Sequence, residues 1–72
     1  MTFGDAIAAI KTGKHVARRG WNGKNMWLAY QERTEHSKMT LPYIYMRTAQ
    51  GDLVPWLASQ TDMLSDDWDI VS

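Results

Sequence analysis

The chain has 72 residues, 44% of them hydrophobic, with no cysteine and with 8 basic and 8 acidic side chains that cancel to zero net charge. That length leaves room for one domain, 1–72, and the missing cysteines exclude disulfides and thiolate metal sites. No apolar run is long enough to span a bilayer, the N-terminal residues do not read as a secretory signal, and the charge balance gives no bulk attraction to DNA or an anionic membrane.

Thr2 followed by Asp5 reads as a helix N-cap with an acidic residue in the first turn. Phe3, Ile7 and Ile10 then recur at helical spacing, and Gly13 is the expected stop, so the pattern predicts a helix of about three turns. His15 to Arg19 reads as a short strand, and Gly20-Trp21-Asn22-Gly23 as a tight hairpin turn. The return strand, from about Asn25 to Gln31, sets Met26, Leu28 and Tyr30 on one face and Trp27 and Ala29 on the other. Both faces are apolar, so one of them is expected to meet a partner unless both are covered within the chain. Glu32 to Thr40 is polar, aperiodic and read as a loop. Tyr43 to Thr48 alternates as a third strand, Gln50-Gly51-Asp52 turns the chain into Leu53-Val54, and Pro55 excludes central pairing there. Ser59 with Asp62 is a second capping pair, opening a short helix to about Ser65. Asp66-Asp67 breaks it, and Trp68 to Val71 is a closing strand. The predicted class is α+β: a small antiparallel sheet with one long N-terminal helix packed on it and a short helix near the C-terminus.

A core drawn from so few residues barely offsets the conformational entropy of ordering them. Self-association is the simplest remaining source of stability. Trp21, Trp27, Trp56 and Trp68 cannot all be central in so small a core, so some of these rings should line an interface or a pocket.

Little in the chain suggests catalysis. His15 and His36 have no local orienting partner, and Ser59 lacks a nucleophile-elbow context. Asp62, Asp66, Asp67 and Asp69 could pair as acid and base or hold a cation, but the glycine and terminal glutamate of a calcium loop are missing. Capping and solvated turns account for the same residues. The expectation is a protein that is not an enzyme, with no catalytic residue, metal or cofactor.

Two segments suit binding. Arg18 to Gly23 sets guanidinium groups beside the Trp21 ring and the Asn22 amide on a glycine-flanked turn; arginine grips phosphate through paired hydrogen bonds, and tryptophan stacks on a base. An ordinary hairpin with a core tryptophan is the alternative. In Val54 to Met63, Trp56 precedes Ser59, Gln60, Thr61 and Asp62 at a helix start, where free N–H groups favour anions. A capped helix with Trp56 and Leu57 in the core is the alternative there.

Three blocks occur in order: Phe3-Gly4-Asp5-Ala6 with Ile10-Lys11, Ala17 to Lys24, and Leu41-Pro42-Tyr43-Ile44 through Val54 to Leu64, with Asp67-Trp68 beyond. Together they resemble the second Thoeris anti-defence family of phage and prophage proteins over nearly the whole chain. The resemblance implies a homotetrameric sponge in the cytoplasm of the infected or lysogenic host. Such a sponge holds cyclic ADP-ribose isomers, and in some members cyclic dinucleotides, away from a defence effector in pockets between protomers. Arg18, Trp21, Asn22, Trp56, Gln60, Thr61 and Asp62 are assigned to that pocket from their chemistry. Two other readings are a small oligomeric module that binds a host protein through exposed tryptophans, and a cyclic-nucleotide hydrolase using Asp62, Asp66 and Asp67.

Overall fold

A computed structural model describes residues 1–72. Helix α1 (Phe3–Ile10) is followed by strands β1 (Val16–Arg18), β2 (Trp27–Gln31), β3 (Tyr43–Arg47) and β4 (Leu53–Pro55). Helix α2 (Gln60–Leu64) and strand β5 (Trp68–Ile70) complete the chain. The strands form one antiparallel sheet in the order β4-β3-β2-β1-β5.

The expected long N-terminal helix is corrected by this structure. The fold is mainly a five-stranded sheet, and α1 has 8 residues. The reason lies in how the helix closes. Gly13 is left-handed at φ 93°. The Gly13 N–H reaches the Ile10 carbonyl at 3.0 Å and the Lys14 N–H reaches that of Ala9 at 3.3 Å. This Schellman-type closure takes up the last turn that the apolar spacing had assigned to the helix. At the other end Thr2 and Asp5 form a reciprocal capping box. Thr2→Ala is therefore expected to lower stability by about 1 kcal/mol in urea denaturation, whereas Thr2→Ser should leave it nearly unchanged.

The core lies between α1 and one face of the sheet. Ala6 and Ile10 of the helix meet Val16, Leu28 and Trp68. Residues opposite one another in the register share a face, so Met46 and Val54 continue the Val16–Leu28 row. The other face carries the rows Trp27–Arg47–Leu53, Ala29–Tyr45–Pro55 and Gln31–Tyr43. No helix covers it. The apolar second face read from β2 is thus a surface, on which His15 stacks flat against Trp27 at 4.0 Å and Tyr45 meets that ring edge-on.

Pro55 lies in the outermost strand, where its missing N–H breaks no ladder bond. The predicted tight hairpin at Gly20–Gly23 is instead part of a longer connection from β1 to β2. Its positive φ falls on Asn25, at 61°, rather than on Asn22 or Gly23.

Only 6 of 72 residues are buried, and the accessible surface is 5176 Å². A compact monomer of this mass exposes about 4,600 Å². Large apolar side chains are exposed, among them Leu41, Leu53, Leu57 and Leu64.

Candidate functional site

The expected site residues divide into an anchored group and an exposed group. Arg18, at the end of β1, donates from Nε to Asp67 Oδ1 at 2.8 Å and from Nη1 to Asp62 Oδ1 at 2.9 Å. The Trp21 indole donates to the same Asp62 oxygen at 3.3 Å. Asp62 is also the third helical residue of the α2 capping box: its N–H donates to Ser59 Oγ at 3.0 Å, and its Oδ2 accepts from the Ser59 N–H. One carboxylate therefore joins β1, the turn after it and the start of α2.

Asp67 completes the cluster. Its Oδ2 accepts from the Gly20 N–H at 2.8 Å. A Cβ at Gly20 would stand only 2.9 Å from that oxygen, so a glycine is what lets the carboxylate close on the backbone.

These contacts set the charge states. Burial pushes the Asp62 carboxyl up, but hydrogen bonds from Arg18, Ser59 and Trp21 outweigh it and hold it below the usual carboxylate range. The hydrogen bond from Arg18 lowers Asp67 against a smaller desolvation effect, with help from Gly20. Hydrogen bonds to Asp67 and Asp62 raise Arg18 in turn. Arg19 meets Asp69 in a looser pair at 3.6 Å on the surface, a contact worth little in water.

Aromatic rings form the wall behind this cluster. Trp68 is fully buried, and its indole donates to the Asp62 carbonyl at 2.9 Å. Trp21 and Trp56 meet Trp68 edge-on at 5.4 and 6.2 Å, while Phe3 is tilted against both Trp56 and Trp68. Trp21 and Trp56 remain half-buried. Asn22, Gln60 and Thr61 are exposed at the rim.

The structure thus brings Arg18, Trp21 and Asp62 into direct contact, with Trp56 joined through Trp68. Asn22, Gln60 and Thr61 contribute polar groups without joining the network. The sequence names Asp67 only within an acidic cluster or a solvated turn, and marks neither its pairing with Arg18 nor the hub role of Trp68. Arg18 and Trp68 are cross-strand partners in the β1–β5 pairing, which brings Asp67 alongside. Nothing in local spacing announces a partner 49 positions away.

Two hollows lie elsewhere, and none of these residues lines either. A cleft of about 370 Å³ on the uncovered face is bounded by Gln31, Met39, Tyr43, Tyr45, Leu53, Val54 and Pro55. A more polar hollow of about 520 Å³ is bounded by Asn25, Met26, Trp27, Arg47, Val71 and Ser72. No helix is long and apolar enough to cross a membrane.

Comparison with known proteins matches this chain at both levels. Residues 1–71 match a family model described as the Thoeris anti-defense 2-like domain. The protein Thoeris anti-defense 2 of Bacillus phage SP01 is 36% identical over 85 residues, an alignment that takes in 100% of this chain and 96% of that relative.

Proposed function

The chain belongs to the Thoeris anti-defense 2-like family, and we propose that it fills this phage anti-defence role as a sponge. In this reading it binds cyclic ADP-ribose isomers or cyclic dinucleotides in the cytoplasm of the infected cell and holds them chemically intact.

The state of the carboxylates supports capture over turnover. A general acid must carry a proton near neutral pH, which requires a raised pKa. Asp62 and Asp67 are both lowered and are tied to one guanidinium. They are suited to holding a wall in place and poorly suited to act as a general acid near neutral pH. Half-buried Trp21 and Trp56 supply ring surface for a base, and Asn22, Gln60 and Thr61 supply groups for ribose hydroxyls and base edges. Arg18 and Asp62 form the anchored floor.

Sequestration without turnover demands tight binding, and nanomolar capture corresponds to about −12 kcal/mol. An open wall of this kind encloses one side of a ligand, whereas a pocket between protomers encloses most of it. The uncovered sheet face and the exposed apolar side chains favour assembly, and the proposed assembly is a homotetramer. Light scattering at micromolar concentration should then give about four times the 8.3 kDa chain mass; a stable folded monomer would refute the assembly.

The function is tested by incubating the protein with the product mixture of a TIR-domain enzyme, removing unbound material and releasing the ligand by heat. Recovery of the intact cyclic signal is the expected result. A linear product that disappears with Asp62→Asn would mean hydrolysis. Absence of bound nucleotide, together with a host protein recovered through the tryptophan surface, would favour the interaction-module reading.

A further inference from the structure

We propose that Arg47, in the polar hollow at the far end of β3, is an oxyanion-binding residue that grips a phosphate of a nucleotide captured between protomers, reaching it from the sheet face opposite its own tryptophan wall. This rests on the sponge reading for the identity of the ligand, but the geometry that points to an anion is independent of it.

The chain has four arginines, Arg18, Arg19, Arg33 and Arg47. The first two are matched with carboxylates. Arg33 is exposed on the polar loop. Arg47 is different. It is half-buried on the uncovered sheet face between Trp27 and Leu53, and no carboxylate pairs with it. A charge withdrawn partly from water without a counter-ion is unfavourable unless something else compensates it.

Part of that compensation is built from backbone. Nη1 donates to the Asn25 carbonyl at 2.9 Å and to the Thr48 carbonyl at 3.3 Å. The Asn25 carbonyl belongs to the chain's single non-glycine residue of positive φ, at 61°. Asparagine is among the few residues that adopt this conformation readily. The two carbonyls engage one end of the guanidinium and fix its plane. Nε and Nη2 have no protein acceptor. They form the parallel N–H fork that takes two oxygens of one phosphate.

Arg47 lines a hollow of about 520 Å³ together with Asn25, Met26, Trp27, Val71 and Ser72, and its Nη2 lies alongside Gly51 at the β3–β4 turn. The surroundings of the hollow suit a phosphate with an organic body attached. Met26, Trp27 and Val71 offer apolar contact. The Trp27 ring is held by the flat stack of His15, whose Nδ1 is in turn hydrogen-bonded to Ser72 Oγ at 2.7 Å. The Arg18 guanidinium, by contrast, already has its Nε and Nη1 on carboxylates. Phosphate recognition is therefore assigned to Arg47, and the role of Arg18 to holding the tryptophan wall.

The test uses the full chain and calorimetric titration with two probes: pyrophosphate, and a purified cyclic ADP-ribose isomer from a TIR-domain enzyme. Arg47→Gln, Arg47→Lys and the control Arg19→Gln are compared with the wild type, with folding checked by circular dichroism and assembly by light scattering. Arg47→Gln should weaken both probes by about 10- to 100-fold, the range set by losing hydrogen bonds from a charged donor. Arg47→Lys keeps the charge without the fork and should fall between wild type and Arg47→Gln, which keeps the test decisive should the glutamine variant fail to fold. Arg19→Gln should bind as the wild type does.

Equal binding of the isomer by wild type and both Arg47 variants overturns the assignment and leaves the sponge reading standing. A pyrophosphate response that depends on Arg47, with no uptake of cyclic ADP-ribose isomers or cyclic dinucleotides by the wild type, supports the anion site and overturns the sponge reading. If Arg47→Gln instead splits the assembly while ligand affinity is unchanged, the fork holds a carboxylate of a second copy, and the phosphate assignment falls.

Discussion

Trp68→Ala is expected to remove about 3–5 kcal/mol of stability, the usual cost of truncating a buried tryptophan. For a single domain this small, that is a large part of the whole. The position justifies the upper end of the range. Trp68 is fully buried, touches Phe3, Trp21 and Trp56, and ties its indole N–H to the Asp62 carbonyl. Removing the ring leaves a cavity that α1, β1 and α2 all border, and leaves that carbonyl without its indole partner. Trp68→Phe keeps part of the volume and loses the hydrogen bond, so it should fall between the two. Urea denaturation at matched protein concentration measures both. A Trp68→Ala variant within about 1 kcal/mol of wild type would contradict this account of the core. The same cut at Trp27, on the uncovered face, should cost far less in a folded monomer and be felt mainly in assembly.

The second large effect belongs to Asp62. Asp62→Ala should cost about 2–4 kcal/mol, combining the loss of a helix cap with the loss of a hydrogen bond to a charged partner. Its side chain is 14% exposed, so water compensates little of this. Asp62→Asn retains a side-chain oxygen for the cap and discards the ion pair, and should lose less.

The pair separates further with pH. Asp62 and Asp67 are lowered in the folded state, so their contribution is fully present above the unfolded carboxylate pKa, about 4, and is lost as pH falls through the folded values. Stability of the wild type should therefore hold from neutral pH down to about pH 4 and drop below it, and the drop should be shallower in Asp62→Asn. Parallel pH curves for the two proteins would show that the Arg18 network carries no linkage. This acid sensitivity is one of folding, so ligand capture should fail at low pH only where the fold does.

Much of the local structure was legible because its causes are local. Thr2 with Asp5, and Ser59 with Asp62, are capping pairs three positions apart, and each side chain reaches a backbone N–H of its own helix start. The α2 helix begins where Ser59 predicts. Alternation in the return strand assigned Leu28 and Ala29 to opposite faces, as the register bears out. Pro55 was placed away from the sheet centre because a residue without an N–H has only an edge to occupy.

The tertiary structure decided the rest, because those outcomes depend on partners remote in sequence. Apolar periodicity says which side of α1 is buried, but the length of the helix was set by closing bonds around Gly13. That the last strand lies beside the first is a matter of packing: β5 brings Trp68 opposite Arg18, and only then does Asp67 meet the guanidinium. Of the four tryptophans, spacing cannot say which becomes the core, since the hydrophobic effect is non-directional and rewards whichever ring the fold can enclose. Arg47 is the same case in polar form: a backbone turn at Asn25 and the end of β3 meet across 22 positions, and that meeting leaves its fork open.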